Sequence, residues 1–208
     1  MIILHHLVFS RSTRIIWALE ELGLPYDLVT HQRTPDFRAA PSLAPVHPLG
    51  KAPVIVDGSL RIAESGAILA YLNDRHGRGQ LAPPIGSDAR AIHDEWLHYV
   101  EGSAAMPIML TLIGGMIGGL PDGLARFVTP ELAKTLAYVA DAVNDGPWLL
   151  GEHFTIADIH LGYLVELVGA AGMLAAYPSL AAYLDRLKAR PAYAKAIEKG
   201  GPVVPSAG

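Results

Sequence analysis

The chain has 208 residues, 51% of them hydrophobic, a net charge of −4 and no cysteine. That length suffices for two small domains, each with its own core, and the scattered Lys and Arg form neither a phosphate-binding stripe nor a charged tail. The absence of cysteine excludes protein disulfides, thiolate metal sites and any enzyme-borne thiol nucleophile, so thiol chemistry here requires a thiol carried in by a ligand.

The opening "MIILHH" is too short an apolar stretch for a signal peptide, which gives a cytoplasmic location as the expectation. Its "IILHH" run reads as a strand, on which the neighbours His5 and His6 point to opposite faces and cannot share a metal. From residue 12 to 23 Ile15, Ile16, Leu19 and Leu22 recur at helical spacing, and "GLP" supplies the stop. A second strand, "YDLVT", follows, so the start is a right-handed βαβ crossover with parallel strands. After an irregular segment, "PVIVD" and "LRIA" flank a "DGS" turn as an antiparallel hairpin, and a helical pattern covers 65–76.

The Gly and Pro cluster "GRGQLAPPIGS" continues neither helix nor ladder, and it places a linker at 79–87 between domains 1–78 and 88–208. Everything beyond it reads as helical. The most apolar segment, residues 104–120, has doubled small-residue spacing like a membrane-helix contact, but it is too short to span a bilayer and contains Pro107. A buried or cleft-lining helix is expected. Glu95 and His98 in "EWLH" have the spacing of a helical carboxylate metal site, but no second copy accompanies them and no metal is expected.

In such a sheet, ligands bind beyond the C-terminal end of the first strand, where the next helix points its free N–H groups outward. Residues 8–14, "VFSRSTR", lie there. A hydroxyl at Ser10 or Ser12 beside a positive helix end favours a nearby anion, including a thiolate; equally, either serine serves as an ordinary helix cap. Arg14 either holds a carboxylate or buttresses the loop.

The segment "HPLGKAPVIVDGSLRIAESGAILAYL", read with "SRSTRIIWALEELGLPY", resembles the glutathione transferase family, and the likeness runs on through "FTIADIHLGYL" and "YPSLAAYLDRLKARPAYAKA". The resemblance implies an α+β thioredoxin-like N-terminal domain of order βαβ-α-ββα, followed by an all-α C-terminal domain. It implies glutathione as co-substrate, a cis bond before Pro53, and backbone pairing of Ala52 with the cysteinyl part of glutathione as if the tripeptide were an added strand. Glu64 and Ser65 match the site for the γ-glutamyl end, where Ser65 offers hydroxyl and N–H to the carboxylate and Glu64 faces the ammonium. Lys51, with His47, is assigned to the glycyl carboxylate. Each has a structural alternative: Glu64 and Ser65 also make an ordinary helix start, and Lys51 an ordinary turn lysine. In "FTIADIHLGYL", Thr155 and Asp158 are spaced as a capping box with Phe154 and Ile159 as a hydrophobic staple, a folding motif without a catalytic role.

No tyrosine precedes Tyr26, so the likeness is to serine-type members, and the cysteine-type thiol transferases are excluded. The Ser-Ser-Cys signature of the maleylacetoacetate isomerase branch is also missing. "SRSxR" followed by "W" and "EEL" is most similar to a bacterial and fungal group of general transferases. The function implied is a detoxifying glutathione S-transferase in which Ser10, four residues before Arg14, donates to the glutathione sulfur and Ser12 caps the helix. The thiolate attacks a hydrophobic electrophile, held by Phe9 and by Met106, Met109 and Ile113, a stripe that reads equally as a dry bundle core. A homodimer is implied, with Glu101 reaching a partner's γ-glutamyl ammonium, and neither nucleic acid nor membrane is an expected partner. The alternatives are glutathione-dependent peroxide or disulfide reduction, or a non-catalytic glutathione- or protein-binding module of the same fold.

Overall fold

The computed structural model describes residues 1–205. Strand β1 (Ile2–Leu7) lies parallel to β2 (Tyr26–His31) and antiparallel to β3 (Val54–Asp57), and β4 (Leu60–Ala63) completes a sheet of order β2-β1-β3-β4. The parallel β1–β2 pair requires a crossover, supplied by helix α1 (Thr13–Leu22). Gly23, at φ +62°, ends that helix by turning its N–H back to Glu20 and Leu19. A short 3₁₀ helix, Pro41–Leu43, occupies the connection from β2 to β3. Helix α2 (Ser65–Tyr71) widens into a π-helical turn over Leu72–His76. Leu4, Ile55, Ile15, Ile16, Leu19, Ile68 and Leu69 are fully buried between sheet and helices.

The chain divides into two compact units, one of Met1–Ala82 together with the segment from Lys188 onward, the other of Pro83–Leu187. The sequence places residues beyond 188 in the helical domain of 88–208, whereas in the structure they group with the first unit. The last helix of the chain's described residues, α8 (Pro191–Gly200), lies along α1. Tyr193 meets Trp17 edge-on at 5.2 Å, Arg190 forks onto Glu21 at 2.6 and 2.8 Å, and Lys199 pairs with Glu20, which also accepts the Tyr26 hydroxyl. These contacts hold α8 against α1.

The second unit holds α3 (Asp88–Tyr99), α4 (Ala105–Met116), α5 (Asp122–Ala142), α6 (Ile156–Ala170) and α7 (Pro178–Lys188). A π-helical turn, Val100–Ala104, joins α3 to α4; Pro107 just beyond it has no N–H to return to Ser103, and a wide turn accommodates its ring. Helix α6 is buried almost all round, and its start carries the full capping box expected of Thr155 and Asp158. Asp158 accepts from the Leu149 and Thr155 N–H groups at 2.8 Å, the Thr155 hydroxyl and the Tyr183 hydroxyl of α7. Burial pushes this carboxyl upward against the downward pull of those four donors. Phe154 packs edge-on against Trp148 at 5.0 Å. Among the described residues no helix is long and apolar enough to cross a membrane.

Candidate active site

Register alone gathers most of the predicted residues at one edge of the sheet. Strand β1 ends at Leu7 and runs into the loop that bears Ser10 and Ser12. Because β3 is antiparallel to β1 with His5 opposite Val54, Pro53 falls level with His6; because Val54 pairs with Ala63, Glu64 emerges beside it. The bond between Ala52 and Pro53 is cis. Pro53 is buried, Ala52 half-buried and Lys51 exposed. His47 is half-buried and its Nδ1 accepts the Leu49 N–H at 3.3 Å.

Two non-glycine residues at this edge hold positive φ, Phe9 at 52° and Glu64 at 68°. Such backbone costs about 1–3 kcal/mol and persists where the surroundings over-determine it. Glu64 is exposed and directly precedes α2. Ser65 is buried and its hydroxyl accepts from Arg14 Nη1 at 3.1 Å. A hydroxyl that accepts from a guanidinium keeps its own hydrogen to direct elsewhere. Arg14, 1% exposed, therefore ties the start of α1 to the start of α2.

The two serines form one connected set of hydrogen bonds. Ser10 Oγ donates to the Leu7 carbonyl at 2.7 Å and lies 2.7 Å from Ser12 Oγ. Ser12 Oγ accepts the Leu7 N–H at 3.0 Å and lies 2.7 Å from His6 Nδ1. Ser12 occupies the N-cap position of α1, but its side chain makes no capping bond. The cap expected of Ser12 is thus corrected: its hydroxyl turns back to β1 because Leu7 and His6 offer a buried donor and a buried ring nitrogen, whereas capping requires it to face forward. Ser10 is 7% exposed and Ser12 fully buried, so Ser10 is the one nearer to solvent.

Residues that pattern reading missed hold this loop. Arg33 Nε donates to the Val8 carbonyl at 3.1 Å and Nη2 to that of Phe9 at 2.7 Å, while its guanidinium lies 4.2 Å over the Phe37 ring. Phe37 stacks with Phe9 at 6.3 Å. Nothing in the local pattern marks Arg33. His6 does carry a signal: it shares the strand alternation of Ile2 and Leu4 and so belongs to the buried face.

On α4, Met106 is 51% exposed, Ile113 47% exposed and Met109 half-buried. A dry bundle core therefore does not describe Met106 and Ile113. Glu101 is half-buried in the π-helical turn. Among the described residues no group of three or more His, Asp or Glu side chains is arranged to hold a metal ion.

A thioredoxin-like sheet with a serine loop at the C-terminal end of its first strand and a cis proline opening its third, followed by a helical domain, defines a class of thiol-handling proteins. Two family models match the chain, "Glutathione S-transferase, N-terminal domain" over residues 1–74 and "Glutathione S-transferase, C-terminal domain" over 122–200. Glutathione S-transferase 3 of Schizosaccharomyces pombe is 32% identical over 177 residues, which is 76% of this chain and 70% of that protein. The crystal structure of a glutathione S-transferase from Actinobacillus pleuropneumoniae superposes with a TM-score of 0.88 at 33% identity, covering 96% of this chain and 93% of that one. A glutathione transferase family member from Pseudomonas fluorescens, solved with two glutathione bound, superposes at 0.80 with 28% identity, covering 95% and 92%. The chain belongs to the glutathione S-transferase family, a family of enzymes.

Proposed function

We propose that the protein binds glutathione along the edge formed by Ser10, Ala52, Glu64 and Ser65, and conjugates it through its sulfur to a hydrophobic electrophile. The observation that carries this reading is the Arg14–Ser65 bond. It holds the Ser65 hydroxyl in an accepting role toward Arg14, so its hydrogen, with the free N–H groups at the start of α2, is directed at the γ-glutamyl carboxylate. Glu64 meets the ammonium. Ala52 pairs its backbone with the cysteinyl residue, and Lys51, aided by His47, attracts the glycyl carboxylate. The sulfur then lies by Ser10, whose hydroxyl donates to it and favours the thiolate. An apolar electrophile suits the exposed side chains of Met106 and Ile113 and the adaptable Met109.

Calorimetric titration of glutathione into the Glu64→Ala, Ser65→Ala double variant tests the reading. Bonds to charged groups contribute about 1.5–3 kcal/mol each, so affinity should fall at least tenfold. Unchanged affinity in a folded variant removes the γ-glutamyl site. The Pseudomonas fluorescens relative, solved with two glutathione molecules, favours one second reading: the first thiolate attacks a hydroperoxide or disulfide, releasing alcohol or thiol, and a second glutathione displaces water or the remaining thiol to give glutathione disulfide. Activity with aryl halides and isothiocyanates but not hydroperoxides or mixed disulfides decides for transfer.

A further inference from the structure

His6 is fully buried on β1, between the serine loop and the end of α8. Its Nε2 lies 2.8 Å from the Gly200 carbonyl, which can only accept, so Nε2 carries a hydrogen. Gly200 is the residue that permits this approach: a Cβ there would fall 2.4 Å from the Ile16 side chain and 3.4 Å from the His6 ring. With Nε2 protonated in the neutral ring, Nδ1 is bare and accepts the Ser12 hydrogen across 2.7 Å, a shorter contact than the 3.2 Å to the Leu7 carbonyl, the other acceptor within reach of that hydroxyl. Ser12 then has only accepting capacity left for Ser10, so the Ser10 hydrogen points to Ser12 or to the Leu7 carbonyl, each at 2.7 Å.

This arrangement has one consequence for the active site. If Ser10 turns its hydrogen to a ligand sulfur while the ring stays neutral, Ser10 Oγ and Ser12 Oγ face each other at 2.7 Å with no hydrogen between them. The contact is satisfied only when Ser12 donates to Ser10, which in turn requires His6 Nδ1 to donate to Ser12. We propose that His6 is the terminus of a two-serine proton relay that takes up the glutathione thiol proton. The step moves three hydrogens in concert. The S–H bond breaks and a Ser10 O–H forms; the old Ser10 O–H breaks and a Ser12 O–H forms; the old Ser12 O–H breaks and an N–H forms at His6 Nδ1. The sulfur keeps its electron pair, and the products are a thiolate and an imidazolium. Afterwards every contact in the chain has a donor and an acceptor: His6 to Ser12, Ser12 to Ser10, Ser10 to sulfur.

The groups facing His6 are Ser12 from the loop before α1, the Gly200 carbonyl from α8 and, at longer range, His31 from β2. Burial holds the ring below the usual imidazole range, the Gly200 bond opposes this and His31 adds to it. In the free protein at pH 7 the ring is therefore neutral, which is the empty acceptor a relay needs. The inference rests on Ser10 as the residue at the sulfur. His6 itself acts through Ser12 and Ser10 and is a positioning residue, distinguished from a merely structural one by where the proton goes.

The test compares thiolate formed with protons released. Glutathione is titrated into the protein in buffers of different ionisation enthalpy, with S-methylglutathione, which has no thiol, as the blank, and the thiolate is followed by its ultraviolet absorbance. The relay predicts thiolate at neutral pH with proton release falling short of it by up to one per site. In His6→Asn, where an amide oxygen can still accept from Ser12 but takes no proton, thiolate and released protons become equal. Its kcat/KM near neutral pH should then fall at least tenfold and recover as pH rises. Equal thiolate and proton release in the wild-type protein overturns the relay while leaving glutathione binding intact, and a His6→Asn variant with wild-type proton count and pH profile does the same. If His6→Asn does not fold, the wild-type count alone decides. Absence of thiolate on binding overturns both the Ser10 assignment and the relay.

Discussion

Two helix starts in this molecule place a hydroxyl residue at the N-cap, one with an acidic residue three positions on and one with none, and they use the hydroxyl in opposite directions. At α6, Thr155 faces forward into its own helix, its Oγ1 accepting the Ala157 N–H at 3.2 Å, and Asp158 returns to the Thr155 N–H. At α1, Ser12 stands at the same N-cap position yet turns backward to β1, and Ser10 joins it there. The first start closes its own backbone accounts locally and adds Tyr183 and Leu149 to the same carboxylate. The second leaves the helix N–H groups to other partners and organises a chain of hydroxyls leading toward the sheet edge. A polar helix start that caps itself is structural; one that declines to cap has its polar atoms available for chemistry.

The largest effect that can break this contrast is at α6. Asp158→Ala removes the acceptor of two buried N–H groups and two hydroxyls. Bonds to charged groups are worth about 1.5–3 kcal/mol and each orphaned buried donor adds its desolvation cost, so stability should fall by about 3–6 kcal/mol. Urea unfolding measures this, and the folded fraction should retain glutathione affinity. A loss under about 1 kcal/mol would mean the box is ornamental and the two starts are not different in kind.

At α1 the order reverses, with catalysis affected more than stability. Ser10→Ala should lower kcat/KM near neutral pH by about a hundredfold, the scale of losing one preorganised donor to a developing anion, with partial recovery in alkali. Its stability cost should be near 1 kcal/mol, for one hydrogen bond to the Leu7 carbonyl. Ser12→Ala should cost about 1–3 kcal/mol of stability, because the Leu7 N–H and His6 Nδ1 are left buried without it. Steady-state rates over a pH series and paired unfolding curves separate the two. A Ser10 variant with unaltered turnover would return both serines to the structural column.

Much of this was legible before any coordinates. The element order, the parallel β1–β2 pair and the β3–β4 hairpin follow from local signals, hydrophobic periods of two and 3.6 residues, one crossover and one turn, whereas the antiparallel β1–β3 pairing that joins them is long-range and has no local signal. The cis bond before Pro53 was legible through the family resemblance that the order of Lys51, Pro53, Glu64 and Ser65 carries. What failed was direction and distance. "Ser before an apolar helical run" is the same string whether the hydroxyl faces forward or back, so the sequence predicts a cap at Ser12. His6 lies on the strand the pattern predicts, where its adjacency to His5 excludes a shared metal, and its alternation with Ile2 and Leu4 is the further signal that it faces the core. Its partner, Gly200, lies 194 residues away and no local pattern joins them. The return of α8 to the first unit has the same cause: the ion pairs from Arg190 and Lys199 to Glu21 and Glu20 become visible only once both helices are in place.

The smallest expected effect gives the cleanest comparison, because a second serine occupies an N-cap position in an ordinary way. Ser87 precedes α3 and its side chain accepts the Arg90 N–H at 3.2 Å, while its hydroxyl donates to the Pro84 carbonyl. Capping needs only an acceptor near the second or third N–H, and Asp, Asn and Ser fill that role about equally. Ser87→Ala should therefore cost about 1 kcal/mol, and Ser87→Asp should cost close to nothing. The identical changes at Ser12 meet a different demand. There the hydroxyl must accept from the Leu7 N–H and also exchange a hydrogen with His6 at full burial. An aspartate satisfies the first requirement and cannot donate for the second, and it adds a charge to a site with no exposed surface. Ser12→Asp should thus be more damaging than Ser12→Ala, the reverse of the order at Ser87. Thermal unfolding of the four variants against the parent reads both orders directly. If aspartate is tolerated at position 12 as it is at 87, Ser12 is a cap like any other, and the backward-facing hydroxyl chain has no hold on the sheet edge.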